Sequence, residues 1–244
     1  MCPQSMTDGE QQLRSGRFHS AGVDGWRRVR SGAAISAVWL AMAVAPVSTS
    51  DAGQPVPQNL EFDIVHDGGV VGHHRITFRE DGDELVVQSD IAIDVKMLLF
   101  TVFRYQQTRE EVWRDGRLIT FASTADDDGT PYDITGEARP DGLHVTSGTE
   151  TWILPADSLP ASYWNISMVT GTGPLVDAQS GSMLDAKVLK VGPETIRVDG
   201  KEVATTRYKL GAERPRHLWY DATGRLVKMR AVGRNGSAID WVLK

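Results

Sequence analysis

From residue 60 onward the chain alternates apolar and polar positions in short runs. "LEFDIVHD" (60–67) precedes Gly68-Gly69, and "VVGHHRITFRE" (70–80) precedes Asp81-Gly82. The runs resume after Asp115-Gly116, Pro140-Asp141-Gly142, Asp199-Gly200 and Asn235-Gly236. Period-2 alternation broken by such turn signals predicts antiparallel β-strands joined by tight hairpins. Asp-Gly and Asn-Gly suit a type I′ turn, which needs positive φ at both central residues.

The hairpins can be registered from the sequence. With Asp81-Gly82 as a two-residue loop, Phe78 faces Leu85, Ile76 faces Val87 and Arg79 faces Glu84. Around Asp199-Gly200, Ile196 faces Val203 and Arg197 faces Glu202. Apolar meets apolar and opposite charges meet, as cross-strand pairing favours. "WRDGRL" (113–118) and "WYDATGRL" (219–226) repeat one pattern. It reads as turn chemistry used twice, pairing Trp113 with Leu118, Val112 with Ile119, Trp219 with Leu226 and Leu218 with Val227.

Residues 154–181, "LPADSLPASYWNISMVTGTGPLVDAQSG", break the alternation with three prolines. A long irregular stretch of this kind is often functional or covers a barrel end. Its "SYWN" (162–165) brings together Tyr163, Trp164 and Asn165, whose flat faces and hydrogen-bonding groups suit a ligand. The competing reading places Trp164 as a plug in the core. "LLFTVF" (98–103) is apolar on both strand faces, so Phe100 and Phe103 either lie under cover on both sides or line an apolar cavity. Tyr163, Trp164, Asn165, Phe100 and Phe103 are the expected ligand-binding residues.

The first 52 residues change the picture of where the chain goes. Arg27, Arg28 and Arg30 precede an apolar run over 33–47, followed by small and polar residues. This is the order of a secretory signal, with cleavage expected after Ala52. The run of 15 residues is shorter than a spanning helix, which needs about 20. The expected organisation is a removed N-region and signal over 1–52 and one β domain over 53–244, soluble in the periplasm without a stable membrane anchor. The distance of the arginines from Met1 also fits a translation start nearer to them. The single cysteine, Cys2, lies in the removed segment, so the mature chain has no disulfide and no thiolate nucleophile. A net charge of -6 with no basic stripe argues against nucleic acid as a partner.

Catalytic and metal signatures are sparse. His73 and His74 are strand neighbours and point to opposite faces, His73 being expected opposite Ile64. Asp126 to Asp128 lack the alternation of a calcium loop and read as a hairpin loop. There is no GxSxG elbow, HExxH, P-loop or GxGxxG. No metal and no cofactor are expected.

"FDIVHDGGVVGHHRITF", "EEVWRDGRLITFASTADDDG", "SYWN" and "RHLWYDATGRLVKMRAVGRNGSAIDWVL" together resemble an exported Gram-negative family, domain-of-unknown-function family 6134. More distantly, the C-terminal part is similar to exported β families whose curved sheet wraps like the half-barrels of periplasmic lipoprotein and lipid carriers. The resemblance implies an envelope location and an apolar cavity, and it carries no catalytic residues.

The expected fold is mainly β: one large antiparallel sheet, strongly curved or barrel-like, with an irregular or short-helical segment near 155–180. The expected function is binding of a lipid or other apolar or amphipathic envelope ligand. The alternatives are an enzyme on envelope glycans or esters, and a structural scaffold of the envelope.

Overall fold

The computed structural model describes residues 56–97, 100–184, 186–211, 215–233 and 236–244. The proposed signal and its cleavage site lie outside the described residues.

Eight strands follow one another as a meander: β1 (Leu60–His66), β2 (Gly69–Asp81), β3 (Glu84–Met97), β4 (Phe100–Arg114), β5 (Arg117–Asp127), β6 (Thr130–Arg139), β7 (Gly142–Ser147) and β8 (Glu150–Leu154). A connecting segment holds only two-residue strands, β9 (Leu159–Pro160), β10 (Leu175–Val176) and β11 (Met183–Leu184), and one helical turn, α1 (Ser167–Thr170). Five strands complete the chain: β12 (Val188–Val198), β13 (Lys201–Leu210), β14 (Arg216–Asp221), β15 (Leu226–Val232) and β16 (Ala238–Leu243).

The long strands form a single 13-stranded antiparallel sheet in the order β12-β13-β14-β15-β16-β1-β2-β3-β4-β5-β6-β7-β8. The first and last strands pair, with Phe62 opposite Leu243 and Ile64 opposite Trp241. The two edges are therefore β12 and β8, and the sheet is not closed. Edge β12 carries Lys190, Pro193 and a bulge at Val191, devices that discourage further strand addition. The segment between β8 and β12 runs from one edge to the other over the concave face, where Ala161, Met168, Val169, Leu175 and Val176 join the core.

Turn chemistry sets the hairpins. Asp115-Gly116 and Asp199-Gly200 both take positive φ at both positions, as type I′ turns require. Ile196 pairs with Val203 and Arg197 with Glu202, in the expected register. The β2–β3 hairpin differs, because its loop is Gly82-Asp83 and Asp81 pairs with Glu84. Phe78 thus faces Val87 rather than Leu85, and Ile76 faces Ser89 rather than Val87. Only Gly82 of this loop has positive φ, the pattern of a type II′ turn with glycine first. A shift of two residues preserves the faces, so the inward and outward sets survive the error. In the β1–β2 hairpin the loop is Asp67-Gly68, since His66 pairs with Gly69, and a bulge at Val71 then sets Asp63, not Ile64, opposite His73.

The doubled Trp-Gly-Arg-Leu pattern is not one solution used twice. Trp113 does pair with Leu118, but a bulge at Ile119 then sets Val112 opposite Thr120. In the second copy a bulge at Val227 pairs Trp219 with Lys228, and Leu226 with Tyr220. Trp113 faces the core of the curved sheet, against Trp164. Trp219 points to the opposite face from Leu218 and Tyr220, with the Arg207 guanidinium and the Lys228 ammonium each 5.3 Å from its ring. Such cation–π contacts contribute about 0.5–1 kcal/mol apiece and cover an outward indole.

Candidate functional site

Strand β4 organises the interior. Alternation carries Phe103, Tyr105, Gln107, Arg109, Glu111 and Trp113 to its concave side, while Val102 is exposed on the other. Along this row the chemistry changes from aromatic to polar to charged and back to aromatic.

The charged part is a buried lock. Arg109 and Glu111 are 3% and 1% exposed, with Nε and Oε1 3.0 Å apart. The contact is not aligned as a hydrogen bond, so it is an ion pair held by Coulomb attraction. The second carboxylate oxygen of Glu111 accepts two indole N–H groups, from Trp113 at 3.0 Å and from Trp164 at 2.9 Å. Trp164 also packs edge-on against Phe78 and Trp113, with centroids 5.3 and 5.5 Å away. The irregular segment is thereby fastened to β4 by one buried carboxylate. Beside it the Tyr220 hydroxyl donates to the Tyr163 carbonyl at 2.8 Å, and burial pushes that phenol far above its usual range.

A cavity of about 260 Å³ lies next to this lock. One wall is apolar and comes from β3, β15 and β16: Ile91, Ile93, Met229, Ala231, Ile239 and Trp241. The polar wall adjoins it: Gln107 and Tyr105 of β4 are the cross-strand neighbours of Ile91 and Ile93, and the crossing segment adds Tyr163, Asp177 and Gln179. Phe103, Asp127 and Arg216 lie toward the end of the sheet that holds the β3–β4, β5–β6 and β15–β16 turns; His74 and Arg109 lie deeper. Two larger hollows, of about 700 and 580 Å³, lie along β4–β8. Their walls are largely outward strand positions such as Thr108, Thr124, Asp133, Glu110 and Glu137, which makes them surface grooves rather than enclosed sites.

The polar wall is ordered. Gln107 donates its amide to Ser123 Oγ and the Ala178 carbonyl, both at 3.1 Å. Gln179 donates to Asp127 at 3.2 Å and accepts from the Tyr105 hydroxyl at 3.5 Å. One oxygen of Asp177 accepts from the backbone N–H groups of Gln179 and Ser180 and from the Ser180 hydroxyl. Arg216 stacks over the Tyr163 ring at 5.7 Å. Tyr163 has φ +65°, a strained value for a bulky residue and a frequent companion of ligand sites.

His74 is 1% exposed and its Nε2 lies 2.9 Å from Ser89 Oγ. Burial first, then the charge of Arg109, lowers its pKa from 6.5 to about 3, so it is a neutral imidazole. Its Nδ1 has no hydrogen-bond partner among the described residues.

The five residues expected from sequence separate. Tyr163 and Phe103 line the cavity. Trp164 sits in the aromatic lock, and the Asn165 side chain accepts the Ser167 N–H at 2.9 Å within the α1 turn. Phe100 begins β4, and its side chain lies outside the described residues. Reading from sequence missed His74, Arg109, Glu111 and Arg216. The signal for two of them was present: once Trp113 is placed inward, period 2 places Glu111 and Arg109 inward as well. Among the described residues no three His, Cys, Asp or Glu side chains gather as a metal would require, and no helix is long and apolar enough to cross a membrane.

Residues 62–244 match the family described as Domain of unknown function (DUF6134). The chain belongs to the DUF6134 family. This DUF6134 protein is also similar to a solved structure, a β-barrel-like protein of domain of unknown function DUF1849 from Brucella abortus. The two share 12% sequence identity with a TM-score of 0.57, over 78% of this chain and 96% of the other. That likeness speaks for the barrel-like curvature of the sheet. No curated protein sequence matches the chain.

Proposed function

We propose that this DUF6134 protein is an exported periplasmic carrier that holds one small apolar or amphipathic molecule of the cell envelope between its curved sheet and the crossing segment. The observation that carries the reading is a cavity of mixed lining: apolar side chains of β3, β15 and β16 adjoin hydrogen-bonding groups of β4 and the segment. Its volume falls just below the range of about 300–1,000 Å³ for drug-sized sites, which favours a single small ligand over a multi-chain lipid. Export rests on the basic, apolar and small-residue order of residues 27–52.

The alternative of ester hydrolysis has one specific feature in its favour, the Ser89–His74 pair at 2.9 Å. The pair lacks the orienting acceptor on Nδ1 that activates such a dyad. Ser89 is 2% exposed and is not part of the cavity wall. These features favour binding over catalysis.

The test is capture of an apolar molecule by the purified mature chain. Native mass spectrometry after purification from the envelope should show a co-purified small molecule. A fluorescent apolar dye should bind the emptied protein at one site, and Ala231→Phe, which fills the cavity, should weaken dye binding at least 10-fold. Dye binding unaffected by the filling substitution, with no co-purified molecule, overturns the reading. Mature protein whose N-terminal mass still includes residues 1–22 overturns the export part.

A further inference from the structure

The charges around the cavity are unequally committed. Asp177 is engaged by the turn at 177–180, and Asp127 accepts from Gln179. Arg109 is paired with Glu111. Arg216 differs from all three. No carboxylate of the described residues lies within ion-pair distance of it, and its one close partner is the Tyr163 ring. It is nevertheless part of the cavity wall and only partly open to solvent.

A half-buried guanidinium without a counter-ion is unusual, because burying a charge is unfavourable unless something pairs with it. An Arg fork is also the side chain best shaped to take a carboxylate or phosphate with two parallel hydrogen bonds. Two phenols line the same cavity. Burial raises the pKa of both Tyr105 and Tyr163, so both stay protonated, with the Tyr105 hydroxyl already donating to Gln179. The Tyr163 backbone strain is a second, independent mark. Deeper in, His74 Nδ1 is buried without a hydrogen-bond partner among the described residues, on a cavity-lining side chain that is 1% exposed. A native interior rarely leaves such a group unmatched, and a bound molecule would supply what it lacks.

Taking the carrier reading as its basis, we infer that the cavity is a site for a small organic anion with one apolar body, its charge received by Arg216 and its body laid on the wall formed by Ile91, Ile93, Met229, Ile239 and Trp241. Size limits the body. At about 30 Å³ per water-sized unit, the cavity of about 260 Å³ holds roughly nine such units. That corresponds to a medium-length single chain or one ring system. A carboxylate and a single-chain phosphate share the recognising chemistry.

The experiment compares four probes of one chain length: octanoate, octyl phosphate, 1-octanol and octylammonium. Binding to the mature chain is followed by Trp fluorescence, since Trp241 lines the wall, and by calorimetry. Octanoate or octyl phosphate should bind at least 10-fold tighter than octanol, with octylammonium weakest; which of the two anions leads identifies the head. Arg216→Gln should remove this preference while octanol binding stays within about twofold, and Arg216→Lys should restore part of it. Tyr163→Phe, which keeps the ring under Arg216, should weaken only the anions. Octanol binding as well as both anions, or octylammonium binding best, overturns the anion assignment and leaves the carrier reading standing. Failure of all four probes and of the apolar dye removes both. Should Arg216→Gln not fold, the probe ranking on the wild-type chain, and its decline with added salt for the anions alone, decides the matter.

Discussion

Glu111→Gln is the most informative single perturbation of the interior. Glu111 is 1% exposed, faces Arg109 at 3.0 Å through one oxygen and accepts two indole N–H groups through the other. The carbonyl oxygen of the introduced amide can keep both indoles, so the substitution removes the charge and turns an amide NH2 toward the Arg109 guanidinium, donor against donor. It leaves the buried Arg109 guanidinium without its anion, and breaking a buried pair in this way costs about 3–5 kcal/mol. For a domain of about 190 residues each kcal/mol lowers Tm by about 2–4 °C, so the expected fall is roughly 6–20 °C. Arg109→Met combined with Glu111→Gln removes both charges and should recover at least about 2 kcal/mol relative to the sum of the single changes, a coupling of the size seen between touching residues. The assay is urea unfolding of the four proteins of the cycle, followed by tryptophan emission. Additive single changes, agreeing within about 0.5 kcal/mol, would falsify the view that the two side chains form one buried unit.

Further expectations follow from neighbouring features. Trp164→Phe keeps the edge-on packing but leaves Glu111 one donor short, and should lower stability by about 1.5–3 kcal/mol in denaturant titration, as for a lost hydrogen bond to a charged group; a change under about 0.5 kcal/mol would mean that the indole does not hold the segment. Gly136→Ala would drive a Cβ into the Phe121 ring, so it should destabilise by about 1–3 kcal/mol, and equal or higher Tm would show that the ring moves freely. His74 takes up no proton in the native state until about pH 3, whereas the unfolded histidine titrates near 6.5. Stability is therefore fully present above pH 6.5 and is lost as pH falls toward about 3, by up to about 1.4 kcal/mol per pH unit from this residue. His74→Gln should flatten that part of the Tm-against-pH curve, and an unchanged slope would remove the assignment.

Much of the fold was legible because local rules agreed with one another. Asp-Gly turns, alternation and cross-strand charge pairs all pointed to antiparallel hairpins, and the 199–200 hairpin was registered correctly. Registers failed where a turn sat one residue away from its expected place, as at Gly82-Asp83, and where an extra residue entered one strand. The bulges at Val71, Ile119 and Val227 each move one partner by one position, and no turn signal announces them. The turn at 221–225, which pairs Leu226 with Tyr220 instead of Trp219, also hid the fact that Trp219 faces outward beneath two cations. The candidate site was half legible for a different reason. Aromatic residues in the irregular segment stand out against the strands, and Tyr163 does line the cavity. Arg109 and Glu111 escape such a reading because charged residues are almost never fully buried unless paired. The pairing that permits their burial lies two residues apart along one strand face, a spacing that sequence shows as readily as it shows hydrophobic alternation.

The strand order explains why such charges are inside at all. With β1 paired to β16, the two meanders share one sheet whose edges are β8 and β12. Those edges are joined directly by the chain, so residues 155–187 connect one edge of the curved sheet to the other, and they do so across its concave face. A segment with few backbone ladder bonds, laid over an apolar face, needs directional anchors to adopt one path. Glu111 supplies one of them through Trp164, Gln107 another to the Ala178 carbonyl, and Tyr220 a third to the Tyr163 carbonyl. The anchors at 163–164 and 178 hold the segment along its length while the cavity lies alongside it, against β3, β15 and β16. The buried polar row of β4 thus fixes the path of the segment beside the cavity. Loosening that row, by Glu111→Gln or Trp164→Phe, should weaken capture of an apolar dye even though neither side chain lines the cavity, and dye affinity unchanged in both variants would separate the lock from the site.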